Sequence, residues 1–113
     1  MNDKKLLEVL LKLATSEQEE TINPSNYTSP FRVGKKYFIR TATMYWTGKI
    51  DRIEGHFAIL TTAAWIADTG RFNEFVSGKE AHEVEPVKQE VIINLDGVID
   101  AIEIDVDLPT KVK

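Results

Sequence analysis

The last stretch of this chain permits few structures. Ile102, Ile104, Val106 and Leu108 alternate with Glu103, Asp105 and Asp107. A period of two puts the apolar set on one face of a strand and the acidic set on the other. Such a strand needs neighbours to complete a sheet and a core under one face only. Upstream, Lys36 to Tyr45 (KYFIRTATMY) is equally rich in β-branched and aromatic residues but is patterned differently. Its alternating sets, Tyr37/Ile39/Thr41/Thr43/Tyr45 and Phe38/Arg40/Ala42/Met44/Trp46, are each part apolar and part polar. This predicts one strand with mixed burial on both faces.

Further elements follow from turn residues and spacing. Thr47-Gly48 reads as a turn or bulge. Lys49 to Glu54 and Phe57 to Thr62 read as the next two strands, joined by a tight turn at Glu54-Gly55. Ala63 to Asp68 is an apolar run ending at Asp68-Thr69-Gly70. Phe72, Phe75 and Val76 lie at helical spacing and predict a short helix near 70–77, capped by Asp68 or Thr69 and ended by Gly78. Glu85-Pro86 reads as a break. Lys88 to Leu95 and Val98 to Leu108 read as strands joined in a hairpin at Asp96-Gly97. At the other end, Leu6, Leu7, Leu10, Leu13 and Ala14 make the stripe of an amphipathic helix over Asp3 to Ala14. Val9 and Leu11 widen that stripe beyond what a small barrel covers, which predicts a second apolar neighbour. Thr21 to Pro30 reads as a loop. The order predicts a mainly β (α+β) chain, a small partly open SH3/Sm-like barrel at 33–113 preceded by an N-terminal helix and loop arm at 1–32.

A chain of 113 residues holds one modest core, and none of them is cysteine. Disulfides, thiolate metal sites and a cysteine nucleophile are therefore excluded. His56 and His82 have no third ligand at metal spacing. Neither a metal nor a cofactor is expected. No apolar run approaches membrane-spanning length, and Glu8 and Lys12 interrupt the N-terminal one, so neither a signal peptide nor a membrane span is read there.

Charge is polarised along the chain. Residues 1–56 hold 9 basic and 7 acidic side chains, whereas residues 57–113 hold 5 and 11. Three readings fit: two solvated faces of a monomer, a basic nucleic-acid footprint, or a basic side meeting an acidic side in head-to-tail assembly. Tyr37, Phe38, Tyr45 and Trp46 interleave with Arg32, Lys35, Lys36, Arg40, Lys49 and Arg52, as in barrels that stack bases. The net charge of −4 speaks against nucleic acid, because affinity there is mainly phosphate neutralisation.

Asp68-Thr69-Gly70 is also the triplet of aspartic proteases, in which two carboxylates share one proton. Arg71 follows it where those enzymes place a small residue. A cation there favours the ionised carboxylate and spoils the shared proton. No enzyme is predicted, and capping is the expected role of Asp68. Candidate binding residues, for an interface or a ligand, are Arg40, Trp46, Trp65, Asp68 and Arg71. In the ligand reading Trp46 and Trp65 stack a base, Arg40 and Arg71 pair phosphate, and Asp68 orients a ribose, in pockets between subunits. Small residues around Trp65 predict that its ring closes one end of the barrel. Arg71, in the first turn of a helix, calls for a compensating carboxylate from the acidic half.

Val33-Gly-Lys-Lys-Tyr-Phe-Ile-Arg40-Thr41, Gly48-Lys-Ile50, Ala63-Ala-Trp65-Ile-Ala-Asp68-Thr-Gly70-Arg71-Phe72 and Glu83-Val-Glu85-Pro86, with Leu108-Pro109 near the end, resemble a family of small uncharacterised proteins of tailed phages and prophages. The resemblance covers roughly Val33 to Pro109 and is most specific at A-A-W-I-A-D-T-G-R-F. It implies a phage setting and no catalytic residues. The resulting expectation is a non-enzymatic phage structural or assembly protein. Its partners would be itself, as a homo-oligomer, or other phage structural proteins. It would act in the host cytoplasm during assembly, with presence in the virion open. The alternatives are a sequestering protein for a nucleotide signal and a nucleic-acid-binding Sm-like module.

Overall fold

The computed structural model describes residues 29–113. The helix expected over 3–14, and most of the arm expected over 1–32, lie outside the described residues. The chain divides into two units, and Phe31–Lys113 is the one described below. Its elements are β1 (Lys36–Thr41), β2 (Tyr45–Glu54), β3 (Phe57–Asp68), α1 (Phe72–Val76), β4 (Glu83–Val87), β5 (Val91–Asn94) and β6 (Val98–Ile104). The fold is mainly β. All strands pair antiparallel in the order β4-β3-β2-β1-β6, with β5 also on β3. The sheet is open, with β4 and β6 at the ends of the path.

The strand expected over Lys36 to Tyr45 is cut at Ala42–Met44. Thr41 supplies the turn: its N–H and its hydroxyl both donate to the Met44 carbonyl, and Met44 N–H donates back to Thr41 Oγ1. Thr47-Gly48 is a bulge and not a turn, since β2 runs through it with a register shift between Thr47 and Lys49. A Cβ on Gly48 would lie 3.0 Å from Leu60 Cβ, so the backbone there is as close to β3 as packing allows.

β3 is twice the expected length. The run Ala63 to Asp68 continues the strand instead of leading into a helix. At Thr62 the backbone takes φ 49°, the one positive value among the described non-glycine residues. On one side of this bend β3 pairs β5 through residues 57–60, and on the other it pairs β4 through residues 63–68.

The mixed pattern of β1 has a direct cause, a core on each face. Tyr37 and Ile39 join Ile50, Ala58, Leu60, Ala63, Ile93 and Leu95 on one side. Phe38 joins Ala64, Ile66, Phe75, Ala81, Val84 and Ile104 on the other. Phe38 is the hub of the second core: its ring makes edge contacts with Tyr45, Phe72 and Phe75 at centroid distances of 5.9, 5.5 and 5.6 Å.

The hairpin expected at Asp96-Gly97 is replaced by a crossover. β5 pairs β3 and β6 pairs β1, and a 3-10 turn at Leu95–Gly97 links them. Leu95 is buried and its N–H donates to the His56 carbonyl at 2.8 Å, while Asn94 Oδ1 accepts from Asp96 N–H. Burial of Leu95 outweighs the local preference, and Gly97 does not use the positive φ that makes Asp-Gly a hairpin signal. Nor does Glu85-Pro86 break the chain. Both residues lie inside β4, an end strand, where a missing N–H is tolerated.

Gly78 does end α1. With φ 119° it lets Lys79 N–H reach Glu74 O and its own N–H reach Phe75 O. The start differs from expectation. Arg71 holds the N-cap position with no side-chain bond, so neither Asp68 nor Thr69 caps the helix.

Candidate interaction surface

The five candidate residues do not converge within one chain. Ile39 stands opposite Trp46, and Trp46 opposite Trp65, so the two half-buried indoles share the face of the first core. Arg40 stands opposite Tyr45, on the face of the second core. Asp68 lies at the end of β3, where its Oδ1 accepts from Gly70 N–H at 2.8 Å. This is an Asx turn, a different job from the helix cap expected of it. Gly70 takes φ 70°, and a Cβ there would lie 2.6 Å from His82 Nε2. Arg71 is exposed and makes no ion pair among the described residues, so the carboxylate partner expected for it is not supplied.

Part of the charge polarity of the sequence is spent inside the fold. Because β6 lies beside β1, Arg40 forms a two-pronged pair with Asp100, its Nε reaching Oδ1 at 3.0 Å and its Nη2 reaching Oδ2. Arg32 meets Glu103 at 2.7 Å. Arg52 meets Asp51, Glu54 and Glu90 at 2.8, 3.1 and 2.9 Å. Each guanidinium is held protonated more firmly than usual, first by its hydrogen bonds to these carboxylates. The pairs are exposed and worth little individually. Their consequence is that three of the basic stretch's six cations already have anions within the fold.

Sequence reasoning missed a patch around Phe38. Tyr45 and Phe72, which touch its ring, are 39% and 43% exposed. Ile102, its cross-strand neighbour on β6, is 40% exposed, although the alternation placed it with the buried set. Ile102 is open because β6 ends the sheet path. Further along, Ile104 is buried, and Val106 and Leu108 pack on the second core as predicted. The one early signal was Val98-Ile99, two adjacent apolar residues that an alternating strand does not explain. Ile99 falls in the bulge between Val98 and Asp100 and is 58% exposed.

A cleft also lies under the C-terminal tail. It has a volume of about 480 Å³ and is floored by Phe75, Ala81, Val84 and Ile104 and walled by residues of the stretch 106–113. Its ion pair Lys113–Glu80 holds the Glu80 carboxyl below its ordinary range, mainly through the ammonium's hydrogen bond. Among the described residues no cluster of three or more His, Asp or Glu side chains could hold a metal ion, and no helix is long and apolar enough to cross a membrane. No family model, no curated protein and no solved structure matches the chain.

Proposed function

We propose that this is a non-enzymatic assembly protein, acting by self-association or by docking on a larger particle in the phage setting its sequence resembles. One observation supports this above the others. A strand edge with no partner among the described residues coincides with an exposed aromatic and aliphatic patch of Tyr45, Phe72 and Ile102. Aromatic residues beside an arginine, here Arg40, are the composition of energetic hot spots at protein interfaces. The proposal includes the small-barrel reading of the fold, since the bend of β3 between β5 and β4 is how a small sheet turns a corner. The host cytoplasm during assembly is the proposed site of action.

Light scattering on the full chain at micromolar concentration tests self-association. A mass above the monomer's is expected, reduced by Ile102→Lys with no loss of folded signal. A monomer overturns self-association, and failure to co-purify with any particle component overturns docking.

The facing indoles favour a second reading, sequestration of a nucleotide. In that case the purified protein releases a nucleotide on denaturation, and Trp46→Ala or Trp65→Ala abolishes the release.

A further inference from the structure

We infer that β6 pairs with β6 of a second copy, antiparallel about a two-fold axis at Ile102. This rests on the self-association reading above and gives it a geometry. Thr41 N–H points to β2, where it meets Met44 O. Alternation then turns Tyr37 and Ile39 toward β2, and Phe38 and Arg40 toward β6. Their partners Ile102 and Asp100 therefore point back to β1, and Ala101 and Glu103 present their backbone N–H and C=O outward. Nothing in Val98–Ile104 is proline, so the row is intact.

No other edge among the described residues offers β6 a complement. On β4 the outward residue Val84 is bonded to Lys113 in both directions, and the next outward residue is Pro86, which has no N–H. β5 is four residues long, and its Asn94 side chain is folded back onto Asp96 N–H. With β6 the one long open edge among the described residues, a second β6 satisfies it, and that pairing closes at two copies and does not propagate.

The register follows from the side chains. With the axis at Ile102, Ala101 of each copy faces Glu103 of the other, and these outward residues exchange four backbone hydrogen bonds. The two Ile102 side chains meet at a non-hydrogen-bonded pair, where strands approach most closely. The exposed Tyr45 and Phe72 of both copies then flank one continuous apolar strip. Asp100 falls opposite Ile104. An axis at Asp100 or Glu103 sets identical carboxylates face to face, which is destabilising. An axis at Ala101 sets Ile102 against Asp100.

The chain has no cysteine, so single substitutions report the register directly. Ile102→Cys, mildly oxidised in the full chain, is expected to give a disulfide-linked dimer at least tenfold faster than Ile92→Cys on β5. Cα atoms of a non-hydrogen-bonded pair, about 4.5 Å apart, are within disulfide reach. Glu103→Cys linking fastest overturns the register. Ile92→Cys linking fastest overturns the choice of edge. A dimer by light scattering in which Ile102→Cys stays unlinked refutes the β6 pairing and leaves self-association standing, whereas a monomer by light scattering refutes both.

Discussion

Val84 and Lys113 exchange two backbone hydrogen bonds, at 2.9 and 3.0 Å. They are the far anchor of a strap that leaves β6 and crosses the second core. Lys36 Nζ donates to Val106 O at 2.6 Å near its start, Val106 and Leu108 pack beneath it, and Lys113 Nζ meets Glu80 at 3.0 Å at its end. The strap closes the β4 edge, and among the described residues β6 is left as the open one.

Removal of residues 109–113 should therefore act locally. Val84 N–H loses its acceptor, so its amide protection from hydrogen exchange is expected to collapse, while the amides joining β1 and β2 keep theirs. Exchange measured residue by residue on the truncated chain checks this. Undiminished protection at Val84 would show that the strap is not what closes β4.

The strap's ion pair has a defined pH sense. Glu80 has its carboxyl lowered from the ordinary 4.5 by Lys113, first through the hydrogen bond and then through its charge. A lowered folded pKa stabilises above the unfolded value, and the contribution is lost as pH falls through the folded one. Glu80→Gln is expected to lower the thermal midpoint slightly at neutral pH. The difference should shrink as pH drops below 4.5 and shrink also with added salt, because the pair is exposed. A difference that grows in acid would reverse this assignment.

How much of this was legible in the sequence depends on range. The β content, the apolar face at Ile104, Val106 and Leu108, the turn at Gly55 and the Gly78 stop are all signalled by residue patterns within a short stretch of chain. The strand ends at Thr41 and Tyr45 were missed because a threonine hydroxyl made the turn, a weaker signal than glycine or proline. The Asp96-Gly97 hairpin failed because a distant carbonyl, at His56, and a core position for Leu95 overrode local preference. Arg40 and Asp100 stand sixty residues apart in sequence. Only strand order makes them neighbours, so these two charges, far apart along the chain, are paired in the fold. The exposed patch was hidden for the same reason: alternation tells which face Ile102 lies on, and not that β6 ends the sheet path.

The turn after β3 gives a sharp double test. Gly70→Ala combines a left-handed backbone with a contact to the His82 ring, and should cost roughly 2–4 kcal/mol. His82→Ala in the same chain should recover the packing share, leaving about 1–2 kcal/mol for the backbone alone. A double-mutant cycle by denaturant unfolding measures the coupling. Additive effects would mean that the ring moves aside without cost. Asp68→Asn should be near neutral, since an amide oxygen can accept from Gly70 N–H as well.

Trp65 and Arg71 should separate cleanly. Trp65 is half-buried against the face that carries Trp46, so Trp65→Ala is expected to cost about 2–3 kcal/mol, less than for a fully buried indole. Arg71→Ala should change stability by no more than about 0.5 kcal/mol, as at surface sites without a specific partner. Urea unfolding of both variants checks this. A large loss at Arg71 would mean that this cation meets an anion in the working assembly.

Thr47 offers the opposite sign. It is fully buried on β2 between Phe38 of β1 and Ala64 of β3, and its Oγ1 has no hydrogen-bond partner among the described residues. A buried hydroxyl left unmatched costs about 1–3 kcal/mol, whereas its methyl group contributes to the second core. Thr47→Val removes the hydroxyl at nearly constant volume and keeps a β-branched side chain in the strand. It should raise stability by about 1 kcal/mol. Thr47→Ser does the reverse: it keeps the hydroxyl, deletes the methyl and should lower stability by about 1 kcal/mol. Unfolding both variants beside the parent decides it. If Thr47→Val destabilises, the hydroxyl has a partner in solution, and Thr47 belongs to a buried polar site and not to the core.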